Sequence, residues 1–84
     1  MYRLVIKKPA MKELDALADE QFSIIDAAIL LLKENPYPHP ASIKLKGEEK
    51  RRIRVGAFRV IYTVDEADKI VTIHRVRHRK DVYR

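Results

Sequence analysis

Arginine and aliphatic side chains alternate in one short stretch of the second half of the chain, Arg52-Ile53-Arg54-Val55. Successive side chains of a β-strand point to opposite faces, so Arg52 and Arg54 project together if the aliphatic pair packs in the core. Guanidinium groups remain charged and offer a planar set of donors to phosphate oxygens. A half-exposed strand is the ordinary explanation for any one such pair. The phosphate-binding interpretation therefore depends on further groups that reach the same face.

Two other segments carry such groups. Arg59 has the opposite parity to the apolar residues of the following strand, so it can join the first two arginines. The end of the sequence brings His78, Arg79 and Tyr83 within six residues of one another. An imidazole ordinarily exchanges protons near neutral pH, and a tyrosine ring can stack on an unpaired base. Together these segments predict a face that binds the phosphates of a single-stranded nucleic acid.

Most other chemistries lack the residues they need. The sequence has no cysteine, which excludes a disulfide framework, a thiolate zinc site and a cysteine nucleophile. His74 and His78 would have a metal-binding spacing on a helix, whereas their segment has the pattern of a strand. The two glycines lie in separate turns and do not form a phosphate-binding loop. We therefore expect no metal site and no cofactor.

The net charge of +6 is distributed unevenly. Residues 1–42 carry a balance of −1 and residues 43–84 a balance of +7. This asymmetry predicts that the C-terminal half contacts a polyanion, although ordinary solvated Lys and Arg side chains would give the same composition. No apolar run approaches the ~20 residues of a membrane span, and the N-terminus lacks a signal segment. The composition thus predicts a soluble, cytoplasmic domain without membrane contact.

The hydrophobic pattern predicts the elements that must hold these groups. Residues 2–7 alternate as a strand, Pro9 and Asp19 mark the starts of two helices, and Asn35-Pro36 ends the second helix. Residues 43–46 alternate, and short turns separate the period-two segments that follow, which predicts antiparallel strands at residues 51–55, 58–64 and 70–76. The last of these segments has a consistent apolar face only if it contains a bulge or ends early.

We summarise this order as β-α-α-β-β-β, an α+β fold in which a mainly antiparallel sheet has two helices packed on one face. The 84 residues suit a single domain, residues 1–84. Because both helices cover the same face, the other face stays open for the arginines.

The same residues resemble a known family. The segments Leu45-Lys46-Gly47, Arg52-Ile53-Arg54-Val55-Gly56-Ala57-Phe58-Arg59-Val60-Ile61-Tyr62 and Val76-Arg77-His78-Arg79-Lys80-Asp81-Val82-Tyr83 are similar to the RelE branch of the RelE/ParE toxin superfamily. The resemblance covers essentially the whole chain. It implies a RelE-like microbial RNase fold and the toxin of a type II toxin–antitoxin system. It also implies a metal-independent, ribosome-dependent endoribonuclease that cleaves mRNA in the A site and so inhibits translation.

The resemblance also implies roles for individual residues. Arg52 and Arg54 match a basic pair that contacts the substrate and assists activation of the 2′-hydroxyl, although the best-known member has lysines there. Arg59 matches an arginine that holds the scissile phosphate. Arg79 matches one that stabilises the transition state or protonates the leaving group. Tyr83 matches a tyrosine that stacks on or orients the nucleotide. Some relatives use a tail histidine as general acid or base, and His78 is the first candidate here. A further basic set is expected to bind ribosomal RNA, with solubility as the alternative role: Lys44, Lys46, Lys50 and Arg51.

The implied partners are a cognate acidic antitoxin, RelB-like or of another family, together with mRNA and the ribosome. Operator DNA would be contacted only through the antitoxin complex. The antitoxin would fold across the basic sheet or the helices. Two alternatives remain open. One is a ParE-like toxin that inhibits a topoisomerase by binding it, and the other is an inactive relic that only binds its antitoxin.

Overall fold

The computed structural model describes residues 1–47 and 49–82. Its elements in chain order are β1 (Arg3–Ile6), α1 (Lys8–Asp15), α2 (Asp19–Leu31), β2 (Ser42–Lys44), β3 (Arg51–Val55), β4 (Phe58–Asp65), β5 (Ile70–His78) and the short α3 (Arg79–Val82). The predicted α+β class is confirmed. The sheet has five strands in the order β1-β5-β4-β3-β2, one more than the summarised order, because residues 42–44 pair with β3 as a strand of their own. Among the strands of the described residues, only β1 and β5 pair in parallel.

The core lies between α1, α2 and one face of the sheet. Leu14 of α1 and Ile25 and Ile29 of α2 are buried against strand residues that include Val60 and Tyr62. These helical residues recur at the spacing of one helix face, and the strand residues share one parity, so both patterns meet in a single apolar layer. The opposite face of the sheet has no helix from α1 or α2 packed on it, as the sequence predicted.

A β-bulge settles the ambiguous last strand. Ile61 pairs with Arg75 and Tyr62 pairs with Ile73, so His74 is the extra residue between these pairs. The shift lets the apolar residues on both sides of the bulge face the core, including the buried Val76. It also places Arg75 on the open face beside Ile61.

One carboxylate, Glu13, binds β5 at the edge that β1 leaves unpaired. β1 pairs only with residues 70–73, and Glu13 of α1 lies beside the strand where that pairing ends. Its Oε1 accepts a hydrogen bond from the Val76 N–H at 2.7 Å. Arg75 donates from Nε to both carboxylate oxygens at 3.2 Å and from Nη2 at 2.9 Å. The Arg77 Nε lies 3.9 Å from Oε2. Glu13 therefore gives the Val76 N–H of β5 a hydrogen-bond acceptor and balances the charge of the neighbouring Arg75 and Arg77.

A hydroxyl network joins the linker before β2 to the sheet. The buried Tyr62 hydroxyl donates to the Pro36 carbonyl at 2.6 Å. Because that hydroxyl has only one hydrogen, the Ser42 Oγ, 2.5 Å away, donates to the Tyr62 oxygen. Arg51 Nε in turn donates to Ser42 Oγ at 2.8 Å. Every polar atom of this buried group therefore has a partner.

A carboxylate in the β4–β5 turn, Glu66, links the residue before β1 to the connection between α2 and β2. It accepts hydrogen bonds from the hydroxyls of Tyr2 and Tyr37 and from Lys69. The bond from Tyr37, followed by those from Lys69 and Tyr2, lowers the pKa of Glu66 to about 2. Partial burial and the bond to Glu66 raise the pKa of Tyr37 to about 12. Both shifts favour the hydrogen-bonded pair of a phenol and a carboxylate.

In the part of the chain that the structure describes, no helix is long and apolar enough to cross a membrane.

Candidate functional site

A cationic pocket of about 720 Å³ lies at the β3–β4 turn, next to the start of α3. Its polar lining comes from four basic side chains, Arg54, Arg59, Arg79 and Lys80. The β3–β4 turn supplies the rest: Gly56, Ala57 and Phe58. Among the described residues, no carboxylate lines it, so the described lining carries a net positive charge.

Backbone pairing brings these groups together from separate segments. Arg54 and Arg59 are directly opposite each other in the β3–β4 hairpin, so they lie on the same face. The hairpin closes over two residues, and Gly56 takes the first position with φ +58°, which glycine adopts without the strain of a Cβ. The Arg79 N–H donates to the Ala57 carbonyl at 2.8 Å and fixes the start of α3 on this turn.

The guanidiniums differ in their exposure to water. Arg59 is only 8% exposed, whereas Arg54 and Arg79 are exposed. Electrostatic attraction strengthens where water is excluded, so the burial of Arg59 would strengthen its attraction to an anion in the pocket. Arg75 and Arg77 also lie on the open face, but Glu13 binds or neutralises them. Arg54 and Arg59 of the same face line the pocket.

His78 follows a different geometry. It pairs with Phe58 on the parity that faces the helices, and the two rings meet edge to face with centroids 5.1 Å apart. Its Nδ1 accepts a hydrogen bond from the Lys80 N–H at 3.2 Å. His78 therefore contacts two lining residues, Phe58 and Lys80, and is not itself among the lining residues. Its proposed acid–base role stays a prediction, and Tyr83 lies outside the described residues.

Arg52 borders a second pocket. This pocket, of about 310 Å³, is also lined by Arg54, Pro40, Ala41 and Ile43. The structure thus brings Arg54, Arg59 and Arg79 to one pocket and Arg52 to the adjoining one. Sequence reasoning missed Lys80, because the alternation that marks strand faces stops where β5 ends and α3 begins.

The remaining predicted RNA-binding residues are dispersed. Arg51 has the parity of the core-facing Ile53, and its guanidinium lies 5.0 Å from the Tyr37 ring centroid, so it sits on the side of the helices. Lys44 pairs with Arg51 and shares that side. Lys46 and Lys50 are exposed in the β2–β3 connection. Their role in RNA binding stays a prediction, and Lys44 and Arg51 would contact RNA from a different side than the pocket does.

Fold and site together define a small α+β domain with a cationic pocket at its central hairpin. Residues 4–83 match the family described as the ParE toxin of the type II toxin–antitoxin system parDE. The protein RelE1 of Methanocaldococcus jannaschii is 35% identical over 86 residues, covering 99% of this chain and 96% of that protein.

Solved structures agree with this match. The RelE–RelB complex of Pyrococcus horikoshii gives a TM-score of 0.79 at 28% identity, covering 93% of this chain and 94% of that one. The isolated RelE toxin of E. coli gives a TM-score of 0.81 at 23% identity, covering 99% and 92% of the two chains, and shows the shared fold. The chain belongs to the ParE toxin family within the RelE-like superfamily and is a toxin of a type II toxin–antitoxin system.

Proposed function

We propose that this toxin is a ribosome-dependent endoribonuclease that cleaves mRNA in the A site. The observation that carries the proposal is the pocket lined by Arg54, Arg59, Arg79 and Lys80, with no carboxylate among its described lining residues. A ParE-like inhibitor that acts by binding needs a complementary surface. It does not need several cations converging on one cavity large enough for a nucleotide.

The proposed reaction requires positive charge beside the scissile phosphate. The 2′-oxygen of the ribose forms a bond to phosphorus while the bond from phosphorus to the 5′-oxygen breaks, giving a 2′,3′-cyclic phosphate and a free 5′-hydroxyl. The 2′-hydroxyl proton leaves to a base, and the departing 5′-oxygen takes a proton. Negative charge builds on the non-bridging oxygens in the transition state. Arg59 and Arg79 would stabilise that charge, a task in which one lost donor typically costs ~10²–10³-fold in rate.

Proton transfer is assigned to His78 first and Tyr83 second. Because a guanidinium stays protonated, neither Arg52 nor Arg54 suits the role of base. His78 directly precedes Arg79 in the chain, and its ring packs against Phe58, which lines the pocket. If His78→Ala retains full cleavage and Arg79→Ala loses it, charge stabilisation and positioning account for the rate without this imidazole.

The partner that restrains the toxin is proposed to be a cognate acidic antitoxin, as in the RelE–RelB complex of P. horikoshii. An apolar groove of about 350 Å³ runs between α2 and β3, lined in part by Ala28, Leu31 and Val55. Leu31 is 68% exposed and Ile24, on the same helix, is 57% exposed. An amphipathic segment with acidic flanks would cover this groove and approach the basic sheet at the same time.

Primer extension on mRNA after induction tests the proposed function. We expect discrete cuts within codons for the wild type, and a loss of at least ~10²-fold for Arg59→Ala and Arg79→Ala. Arg3→Ala is the matched control, because Arg3 is an exposed arginine of the edge strand β1. DNA damage with intact mRNA would instead support the ParE-like alternative, which the description of the matched family makes the second candidate.

A further inference from the structure

The second pocket has a composition that the cleavage step does not explain. It is formed where residues 40–43 run beside β3, and its lining joins Pro40, Ala41 and Ile43 to the guanidiniums of Arg52 and Arg54. Arg54 also lines the larger pocket, so the two cavities adjoin across one side chain. The pocket thus combines an apolar wall with two cations, directly beside the proposed cleavage site.

Ile43 is the unusual residue of this wall. It pairs with Arg52 across the β2–β3 ladder, so both lie on the open face, and its side chain is 48% exposed. The core gains little from it, because Ser42, its neighbour in β2, has the parity of the core-facing Ile53. An exposed aliphatic side chain beside charged groups can pack against the flat face of a nucleobase.

The two guanidiniums are available for a ligand. In residues 1–47 and 49–82, neither Arg52 nor Arg54 has an ion pair or a side-chain hydrogen bond with another described residue. They stand two residues apart on one strand, a separation of about 6.8 Å along the strand. Each can therefore bind a different point of an extended phosphate backbone, and a guanidinium plane can also stack on a base.

We propose that this pocket is a second nucleotide subsite, which holds the base and ribose of the nucleotide next to the scissile phosphate. The base would lie against Ile43 and Ala41, Arg52 would bind the outer phosphate, and Arg54 would contact the backbone between the two nucleotides. Ile43 then contributes to base preference at this neighbouring position. The inference rests on the proposed function, since it assumes that RNA occupies the larger pocket.

Binding of single-stranded RNA that cannot be cleaved tests the subsite directly. The probes are 2′-O-methyl tetraribonucleotides that differ in one base, titrated into the full chain and followed by the NMR signal of the Ile43 methyl groups. We expect these signals to shift with the wild type. Ile43→Thr should weaken binding about fivefold through the lost apolar contact, and by unequal factors for the different bases.

Val5→Thr is the matched control for Ile43→Thr. Val5 is 46% exposed and lies on the open face of β1, at the other edge of the sheet. Four strand spacings separate the two edges, about 19 Å. Equal effects of the two substitutions on binding, or an unmoved Ile43 signal, would overturn the proposal.

Salt dependence tests the phosphate contact of Arg52. Each phosphate contact to a single strand contributes about 0.7 to the slope of log K against log salt. We expect Arg52→Gln to lower the slope by about that amount, whereas Arg3→Gln, on the far edge, should leave it unchanged. A purely structural role for Arg52 would weaken binding without this change in slope, and that result would also count against the subsite.

Mapping of mRNA cuts separates the two proposals. If the wild type cleaves mRNA and Ile43→Thr leaves the base distribution beside the cuts unchanged, the subsite is refuted and the nuclease stands. If the wild type cleaves no mRNA, the nuclease is refuted. The tetranucleotide titration then decides whether the second pocket binds nucleotides. If it binds none, the subsite proposal is also refuted.

Discussion

Replacing Glu13 with alanine should destabilise the toxin more than any other single change to an α1 carboxylate. The substitution removes the acceptor of the Val76 N–H, a charge-assisted hydrogen bond of 2.7 Å, and the ion pair with Arg75. A hydrogen bond to a charged group contributes about 1.5–3 kcal/mol. An ion pair at the surface adds about 0.2–1 kcal/mol, and this pair is of that kind because Arg75 is 44% exposed. The expected loss is about 2–3 kcal/mol, reduced by a few tenths for the better helix propensity of alanine.

Thermal and urea unfolding followed by circular dichroism measure this loss. At about 4–8 °C per kcal/mol for a domain of this size, Tm should fall by roughly 8–20 °C. Glu13→Gln retains an oxygen that can accept from Val76 but loses the charge that binds Arg75, so it should cost about 1 kcal/mol. Hydrogen exchange of the Val76 amide should quicken in Glu13→Ala and change less in Glu13→Gln.

Asp15→Ala is the matched control. Asp15 is exposed, lies on the same helix and makes no side-chain hydrogen bond or ion pair with another described residue. Its loss removes one carboxylate and gains somewhat more helix propensity, because aspartate is a poorer helix former than glutamate. If Glu13→Ala and Asp15→Ala have equal free energies of unfolding, the bond to β5 contributes nothing and the reasoning fails.

Three further outcomes are expected from unfolding experiments. The pKa of Glu66 is lowered to about 2, so the stability that its bonds contribute is present above its ordinary pKa. It is lost as pH falls from about 4.5 towards 2. The difference between wild type and Glu66→Gln should vanish across this window, and a constant difference would contradict the linkage. Tyr62→Phe leaves the Pro36 carbonyl and the Ser42 hydroxyl short of a buried partner, and urea unfolding should show a loss of about 1–3 kcal/mol. A Cβ added at Gly56 would have no heavy atom within 4 Å, so Gly56→Ala introduces no clash. The strain of the positive φ remains and should lower the free energy of unfolding by about 1–2 kcal/mol. A larger loss would indicate a clash.

Local patterns predicted much of this molecule. The alternation in residues 52–55 placed Arg52 and Arg54 on the open face, because a strand reverses its side chains at every residue. The same parity placed Arg59 beside Arg54, and the structure has them directly opposite each other. The α+β class followed from the change of hydrophobic period between the two halves of the sequence.

Contacts between distant residues were not accessible to that reasoning. Glu13 reaches Arg75 across 62 positions, and no periodicity signals such a pairing. The bulge beside Tyr62 depends on how two strands meet, so the faces of β5 were ambiguous until the pairing was known. Lys80 illustrates the limit at a strand end, because it lies in α3, beyond the alternation of β5. His78 still follows that alternation and shares the parity of the buried Val76.

The separation of the helix-packed face from the open face has an evolutionary consequence. Arg54 and Arg79 are exposed and contribute little to the apolar layer, so the chain can lose them and still fold. Under the proposed function, mutations that abolish toxicity are therefore expected to accumulate on the open face and to leave folded proteins that still bind an antitoxin. A lineage selected against its own toxin would then lose the toxin's activity through substitutions of these arginines sooner than it would lose the fold.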